Sequence, residues 1–540
     1  MMNRSRWRVA LPLAAGVIAA TSAVAAPSAS ASAHAPSSSV FQPGNLLVSR
    51  SVYTASPGSI VAGQTVLPPG CTTGCAVATA GGAYPQVFNN DLVDPSFGVT
   101  SPVFLDQMTP SGHLLSTLPV PSAGGLVTSF SSKSELALNV STSGRQVSFM
   151  GYAAAPGAVD VSNSNTPGVI DSTNPVPGAD FRVAARVNGR GQFRFTETNA
   201  YSGNNGRAAI LNDSRGANVF YAAGNAGNGS NPQPDGVITG AGAQILTATS
   251  KPESAQKPGA PTPVGSFSVT QLNDKADKVG KDTNFRGLTI FNNVLYTTKG
   301  SGSNGVNTVY FVDTTGKACP NGVGLPQPGA ALPTSGIAFD PAQLQTEGVF
   351  PYNMCILAGF PTALKSATSF PFGLWFANAT TLYVADEGSG DNTFSPASGT
   401  YTAAAAQTTA GLQKWVLSQG SWKLAYTLSG GLQLGAPYTV PGYPTGDNPA
   451  TGLPWSPATD GLRNITGRVN PNGTATIWGI TSTVSGGGDQ GADPNRLVAI
   501  TDRLAAATAP AESFTTVRTA GFGEVLRSVS FTPGTASPRP

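Results

Sequence analysis

Apolar and polar residues alternate along short runs over most of this chain, and the runs stop at turns that contain Gly or Asn. Residues 146–152 (Gln-Val-Ser-Phe-Met-Gly-Tyr) and 294–298 (Val-Leu-Tyr-Thr-Thr) are examples. A period of two in runs rich in β-branched and aromatic residues is typical of β-strands. Apolar residues at helical spacing do not persist beyond one or two turns. The pattern therefore predicts an all-β protein.

A unit made of a strand, a tight turn and a second strand recurs along the chain. Its copies begin at Glu135, Arg207, Arg286, Phe372, Arg463 and Arg527. Two further strand-like runs follow most copies, which gives antiparallel units of four strands. Such units in sequence are typical of a β-propeller.

The last unit reaches the C-terminus with only its first strand. Residues 46–53, 102–108 and 113–120 can supply its other three strands from the N-terminus. We therefore predict a propeller of six blades, closed into a ring by N- and C-terminal strands in one blade. A seventh blade between residues 312 and 370 is one alternative, and a β-sandwich or solenoid is another. The propeller is expected to be a single domain over residues 41–533, followed by a disordered tail at 534–540.

The N-terminus has the pattern of a secretory signal peptide. Three arginines precede an apolar run at residues 9–20, and small residues suited to cleavage lie between residues 25 and 33. The run is too short to span a bilayer. We expect residues 1–33 to be removed and a secreted, extracellular bacterial protein to result, with a retained anchor as the alternative.

Charged residues make up only 11% of the chain, and the formal net charge is +3 on 540 residues. A typical soluble protein has about 25% charged residues. The low charge disfavours a coiled coil and a nucleic-acid binder that depends on bulk charge. We expect no nucleic-acid partner, no membrane span after cleavage, and a monomer.

Four cysteines remain after cleavage: Cys71, Cys75, Cys319 and Cys355. An even number of cysteines in an exported chain favours disulfides. Pairing of the neighbours, 71 with 75 and 319 with 355, is the simplest of the three connectivities. A zinc site is the alternative.

Several short motifs, in this order, carry a family resemblance. They are residues 45–48 (Asn-Leu-Leu-Val), 103–106 (Val-Phe-Leu-Asp), 109–112 (Thr-Pro-Ser-Gly), 201–205 (Tyr-Ser-Gly-Asn-Asn), 381–386 (Thr-Leu-Tyr-Val-Ala-Asp), 411–415 (Gly-Leu-Gln-Lys-Trp), 495–498 (Asn-Arg-Leu-Val) and 501–502 (Thr-Asp). Over roughly residues 41–533 the chain resembles a family of uncharacterised secreted bacterial β-propeller-like proteins. The resemblance implies the fold and export, and it implies no activity. A looser similarity to phytase-like secreted propellers concerns the fold alone.

The residue that opens each repeat is arginine in four of six copies: Arg207, Arg286, Arg463 and Arg527. The first strand of each propeller blade lines the central channel, so these side chains are expected at its mouth. Guanidinium groups suit carboxylate and phosphate. We therefore predict an extracellular anionic ligand, either an acidic glycan (a polysaccharide) or a small anion. The alternative is that the arginines pair internally and brace the ring.

Polar and aromatic residues near these arginines are further candidates for ligand contacts. Tyr201, Asn204 and Asn205 lead into Arg207, and their amides could bind hydroxyl groups. They could equally form only the turn. Trp455 lies in a Pro-rich loop and is the tryptophan expected to be exposed for stacking on sugars.

Acidic residues with glycines follow the second strand in two repeats. Asp386, Glu387 and Asp391 lie in one such loop, and Asp489 and Asp493 lie in the other. Oxygen-rich loops of this kind could bind calcium, although Asp and Gly are also ordinary turn formers.

Acidic residues near the mouth are also candidates for a catalytic function. Glu135, Asp386 and Glu387 would act as acid or base if the protein were a glycan hydrolase, a lyase or an esterase. A structural or adhesive surface protein is the third possibility. No phosphate-binding Gly-rich loop is present in the sequence, so we expect no cofactor apart from calcium.

Overall fold

Six sheets of four or five strands follow one another around a ring, which confirms the predicted six-bladed β-propeller. The computed structural model describes the following residues: 39–53, 64, 66–67, 76–77, 79–80, 88–89, 100–129, 136–158, 161–167, 178–225, 243–249, 265–266, 284–301, 306–334, 354–363, 369–449, 451–487, 491 and 493–535. The predicted signal peptide, residues 1–33, lies outside them.

Blades 1 and 2 each contain four strands, ordered from the channel outward. The strands of blade 1 are Asn139–Val140, Gln146–Tyr152, Arg182–Asn188 and Phe193–Thr198. Those of blade 2 are Gly206–Asn212, Val219–Gly224, Ala243–Thr247 and Gly265–Ser266. The first strand of blade 2 is buried along its whole length, whereas the fourth strand of blade 1 is half-buried at three of its six positions and exposed at Arg194.

Blade 3 has an additional fifth strand, and blade 4 has the usual four. The strands of blade 3, in spatial order, are Asn284–Phe291, Val294–Ser301, Thr308–Val312, Met354–Leu357 and Val323–Gly324. Those of blade 4 are Pro371–Asn378, Thr381–Asp386, Gly411–Ser418 and Ser421–Leu428. The fifth strand of blade 3 is parallel to its neighbour. The predicted Cys319–Cys355 disulfide joins the segment just before this fifth strand to the neighbouring strand, Met354–Leu357. Cys71 and Cys75 lie outside the described residues.

Blade 5 is continuous in sequence, and blade 6 combines both ends of the chain. The strands of blade 5 are Ala458–Val469, Thr474–Val484, Arg496–Arg503 and Thr515–Thr519. Those of blade 6 are Glu524–Phe531, Leu46–Val52, Val103–Met108 and Leu114–Pro119. The first strands of neighbouring blades contact one another around the whole ring, so they form the wall of the channel.

Short elements lie outside the blades. They are the two-residue strands Val66–Leu67, Ala76–Val77, Thr79–Ala80, Phe88–Asn89, Thr100–Ser101, Thr128–Ser129, Phe394–Ser395 and Thr400–Tyr401, the 3-10 turn Val161–Asn163 and the helix Thr402–Ala405. Within the described part of the chain, no helix has the length and apolarity needed to cross a membrane.

An ion-pair network holds the closing blade together and attaches it to blade 5. The Asp106 carboxylate accepts hydrogen bonds from Arg50 Nε and Arg518 Nη1, both at 2.7 Å. Arg50 Nη1 also donates to Glu524 at 2.8 Å. Burial raises the pKa of Asp106, but its hydrogen bonds and the two arginine charges outweigh burial and leave the pKa below its ordinary value. The network therefore links the two ends of the chain across blade 6.

The two faces of the disc differ in the length of their connections. On the face where the second strands begin, here called the turn face, tight turns join the first and second strands. In blade 3 this turn is Asn292 and Asn293, both at positive φ, as a two-residue hairpin requires. The opposite face, here called the mouth face, carries long connections such as residues 387–410 and 429–457. Loops on a rigid scaffold commonly carry binding residues, so we expect ligand contacts on the mouth face.

The chain continues beyond the predicted end of the domain. Gly534 N donates to Gly144 O at 2.7 Å, and Gly44 N donates to Thr535 Oγ1 at 2.8 Å. The first two residues of the predicted disordered tail thus pack on blades 1 and 6. Residues 536–540 lie outside the described residues.

Candidate functional site

The first strands of five blades contain an irregularity in their pairing at equivalent positions near the mouth face. The residues at these bulges are Arg207, Arg286 with Gly287, Phe372 with Gly373, Arg463 with Asn464, and Arg527. A β-bulge redirects a side chain relative to the regular strand. The four arginines were predicted to open the repeats; each lies inside its strand, after the strand's first residue.

Blade 1 has an apolar residue at the corresponding position. Ala137 pairs in parallel with Ala208 of blade 2, which aligns Leu136 with Arg207. Leu136 is fully buried and has a φ of +62°. Glu135, the acidic candidate at this site, lies outside the described residues. Arginine therefore occupies the equivalent position in blades 2, 3, 5 and 6, and an apolar residue occupies it in blades 1 and 4.

The four arginines are buried, with relative exposures of only 2–8%. Arg527 Nε donates to Ser51 Oγ at 3.1 Å, and its backbone oxygen accepts from Asn464 Nδ2 at 2.9 Å. The backbone oxygen of Arg207 accepts from Ala137 N at 3.4 Å. The two bonds to backbone oxygens join neighbouring blades, and they fix the backbone of Arg207 and Arg527 there.

Glu387 is the central acidic residue of this region. It immediately follows the second strand of blade 4, and its carboxylate forms ion pairs with Arg286 of blade 3 and Arg463 of blade 5. The Arg463 Nε to Glu387 Oε2 distance is 3.1 Å, and Arg286 also lies over the Phe372 ring at 5.4 Å. One carboxylate therefore bridges two arginines from blades on either side of its own.

The backbone around Glu387 is held from both sides. Glu387 N donates to Phe370 O at 3.0 Å, and Glu387 O accepts from Ser482 Oγ at 2.5 Å. These bonds attach it to the entry of blade 4 and to the second strand of blade 5. The bridging carboxylate therefore has a well-defined position between the two guanidinium groups.

Asp386 is adjacent in sequence but has a different environment. Its side chain accepts hydrogen bonds from Phe370 N at 2.9 Å, Gly388 N at 3.0 Å and Gln413 Nε2 at 3.2 Å. Burial raises the pKa of Asp386 to about 6, although these backbone bonds oppose the shift. The residue has no exposed surface, so a ligand on the solvent side does not reach its carboxylate in this structure.

The residues before Arg207 build the turn rather than a polar surface. Tyr201 is 1% exposed with a φ of +65°, and burial raises the pKa of its hydroxyl. Asn204 O accepts from Arg182 Nε at 2.9 Å and Nη2 at 2.7 Å. Asn205 Oδ1 accepts from Tyr152 Oη at 2.7 Å. Sequence reasoning missed Arg182, a fully buried guanidinium whose position on the third strand of blade 1 gave no distinctive signal.

The expectation that Trp455 is exposed is wrong, because its relative exposure is 1%. Its backbone N donates to Gly446 O at 2.9 Å, and the preceding Pro454 O accepts from Tyr401 Oη at 2.8 Å. The Pro-rich loop folds back on itself, and burying the indole removes a large apolar surface from water. This residue is not available for stacking on a sugar.

Among the described residues, the predicted calcium ligands Asp386, Asp391 and Asp493 do not meet in one cluster. Asp391 is exposed and accepts from Thr393 N at 2.8 Å and Thr393 Oγ1 at 2.6 Å, a local turn that lowers its pKa. Asp493 is buried and accepts from Tyr443 Oη at 2.8 Å. Asp489 lies outside the described residues.

Within the described part of the chain, one group of three residues brings potential metal ligands close together. The group of three that comes within reach of a common ion there is Asp313, Cys319 and Cys355. Its two cysteines form the disulfide, so their sulfurs are not available as thiolates. The predicted zinc and calcium chemistry therefore has no described donor set.

A buried carboxylate that the sequence analysis did not identify anchors the long loop after Glu387. Asp460, at the start of blade 5, accepts from Gly390 N at 2.7 Å and from Gln407 Nε2 at 2.5 Å. The loop over residues 387–410 is therefore attached to blade 5. Nothing in the strand pattern around Asp460 distinguished this role from that of a turn residue.

No family model matches the chain, and no curated protein sequence matches it significantly.

Proposed function

We propose that this chain is a secreted propeller that binds a small extracellular anion at the mouth of its channel. The observation that carries the proposal is the placement of arginine at equivalent bulges in four of six blades. Positive charges in a concave, weakly polar setting raise the local concentration of anions. The bulge arginines would therefore attract and hold the ligand.

The position of Glu387 supports a carboxylate or phosphate as the group that is bound. Its carboxylate already lies between Arg286 and Arg463, which is the arrangement that a ligand carboxylate would adopt at a pair of guanidinium groups. The low exposure of the four arginines, 2–8%, favours a small anion over a polymer, because a polymer needs an open surface along its length.

A second candidate is a structural propeller whose arginines brace the ring. The two ion pairs of Glu387 favour it, because they join blades 3, 4 and 5 without any ligand. The enzymatic alternative has less support, since Asp386 is fully buried and Glu387 is held by two arginines.

Thermal unfolding with a panel of ligands separates these possibilities. The panel contains citrate, phosphate, galacturonate, calcium chloride and, as a neutral control, galactose. An anion that binds the folded state stabilises it by about 2.7 kcal/mol at a hundredfold excess over its Kd. We expect at least one anion to raise the Tm, and galactose to leave it unchanged.

The mouth is tested with R286K/R463K, which keeps both positive charges for Glu387 but loses the planar fork of donors. We expect this variant to lose most of the anion-dependent rise in Tm. The matched control is R468K/R503K, which changes two exposed arginines of blade 5. We expect this control to keep the anion-dependent rise in Tm. If no anion in the panel raised the Tm, or if anions raised it equally in both variants, ligand binding at the mouth would be refuted and the bracing role favoured.

A further inference from the structure

A second group of arginines lies away from the mouth, on the turn face where blades 1 and 2 adjoin. We call it the basic rim, and its members are Arg145, Arg186, Arg190, Arg194 and Arg215. Arg186 is half-buried and the other four are exposed. Such a concentration is unusual for a chain in which only 11% of residues are charged.

Three of these arginines belong to the outer strand pair of blade 1. Arg186 and Arg194 are directly opposite each other in the pairing of the third and fourth strands. Arg190 lies in the turn that joins these strands. Like charges that oppose each other across a sheet are destabilising, so the folded protein is stabilised when an anion lies between them.

Hydrogen bonds connect this pair to the neighbouring turns. Arg186 Nη1 donates to Asn218 Oδ1 at 3.1 Å, and Asn218 belongs to the same turn of blade 2 as Arg215. Arg145 Nε donates to Ser143 Oγ at 3.2 Å in the first turn of blade 1. Ser143 N donates in turn to Asp213, in the same turn as Arg215, at 2.9 Å. Hydrogen bonds therefore connect the first turn of blade 1, its outer strand pair and the turn of blade 2.

The Asp213 carboxylate lies near the basic rim without forming an ion pair with it. Throughout the described part of the chain, none of its five arginines forms an ion pair. Asp213 is close enough to raise the pKa of Arg186, but burial and the charge of Arg194 leave that pKa below its ordinary value. The Asp213 carboxylate accepts from Ser143 N at 2.9 Å, Ser143 Oγ at 2.7 Å and Gln146 Nε2 at 3.1 Å. Its hydrogen-bonding capacity is thus used within the turns.

We propose that the basic rim binds a linear acidic polysaccharide through the carboxylates of its uronate residues, independently of the mouth. Exposed guanidinium groups spread over three turns suit a chain with repeated carboxylates. Neutral side chains lie among them: Asn188, Gln192 and Asn218. Asn188 and Asn218 are engaged in hydrogen bonds around these turns. Among the described residues, the Gln192 Nε2 group makes no hydrogen bond, so it can donate to a sugar hydroxyl.

The aromatic residues of this region favour a polysaccharide over a single-stranded nucleic acid. Phe193 and Phe195 flank Arg194 but pack against the hydrophobic core between blades 1 and 6. They stack on each other with ring centroids 5.9 Å apart. Nucleic-acid grooves combine positive charge with aromatic rings that are available to bases, and here both rings face inward.

The test measures binding of the purified protein to fluorescently labelled polygalacturonate at low salt, with neutral dextran as the polymer control. The variant R190Q/R194Q/R215Q removes three exposed charges whose side chains make no hydrogen bond in the described structure. The control K317Q/K423Q/R468Q removes the same charge at exposed positions of blades 3, 4 and 5. We expect the rim variant to lose about tenfold in affinity and the control to change by less than about twofold.

Other outcomes overturn the proposal. An equal loss of affinity in both triple variants would mean that bulk charge alone attracts the polymer. If the wild type did not bind polygalacturonate, an acidic polysaccharide would be excluded as the ligand. If oligothymidylate or anionic phospholipid vesicles bound the rim more tightly than polygalacturonate did, the partner would be a nucleic acid or a membrane instead of a polysaccharide. The mouth variant R286K/R463K should bind polygalacturonate like the wild type, so failure of the mouth proposal would leave this one intact. Thermal unfolding of the rim variant, expected to match the wild type, checks that it folds.

Discussion

Replacing Glu387 with Ala removes the carboxylate that lies between two buried guanidinium groups. The side chains of Arg286, Arg463 and Glu387 are 10%, 6% and 10% exposed, so solvent screens their interactions only weakly. Removing one partner from a buried ion pair costs about 3–5 kcal/mol, because the remaining charge stays in a poorly solvated place. We therefore expect E387A to lower the free energy of unfolding by about 4 kcal/mol.

The same variant offers an anion the position that Glu387 leaves. A small carboxylate or phosphate bound there at ten times its Kd would restore about 1.4 kcal/mol. The assay is urea unfolding of wild type and E387A with acetate, with phosphate and with chloride at matched ionic strength. We expect the midpoint of E387A to rise with acetate or phosphate and to remain low in chloride.

The matched control is E524A, because Glu524 also lies between two arginines. Its carboxylate contacts Arg50 at 2.8 Å and Arg518 at 3.9 Å, but its side chain is 26% exposed. Solvent screening limits such a pair to about 1 kcal/mol, and we expect no specific recovery with acetate. If E387A unfolded within about 1 kcal/mol of the wild type, or if anions stabilised both variants equally, the reasoning about the mouth would be refuted.

Two further predictions concern stability. The disulfide between Cys319 and Cys355 closes a loop with a sequence separation of 36. Its removal in C319S/C355S should lower the free energy of unfolding by about 4 kcal/mol. A reducing agent that destabilised the wild type and this variant equally would contradict the prediction. Burial raises the pKa of Asp386 from 3.8 to about 6. The folded state therefore holds that proton more tightly, and between these pH values this residue makes stability fall as pH rises. D386N should remove this part of the slope in urea midpoints measured from pH 4 to pH 7, and an unchanged slope would rule out the shift.

The fold could be read from the sequence because each step depended on local patterns. Alternating residues predicted the strands, and Asn292 with Asn293 marked a two-residue turn that the structure contains. The missing strands of the last repeat predicted that the two ends share a blade, and the pairing of Leu46–Val52 with Glu524–Phe531 confirms it. Export, the signal peptide and the family resemblance stay predictions.

The candidate site was only partly predictable. The repeats aligned Arg207, Arg286, Arg463 and Arg527, and the structure places all four at equivalent bulges. The local pattern could not reveal how their charges are balanced. Glu387 was recognised as an acidic residue after a strand, which fits a turn, a metal ligand and a catalytic acid equally well.

Sequence alone thus determined the strand content and favoured six blades closed by both ends of the chain, because periodicity and repetition are properties of neighbouring residues. It left a seventh blade and other cysteine pairings open, and the structure decided for six blades and the Cys319–Cys355 pair. Only the tertiary structure decided that Glu387 bridges Arg286, 101 residues before it, and Arg463, 76 residues after it. It also decided that Trp455 is buried. The physical reason is that ion pairs and burial depend on which blades become neighbours in space, and separations of this size leave no periodic signal along the chain.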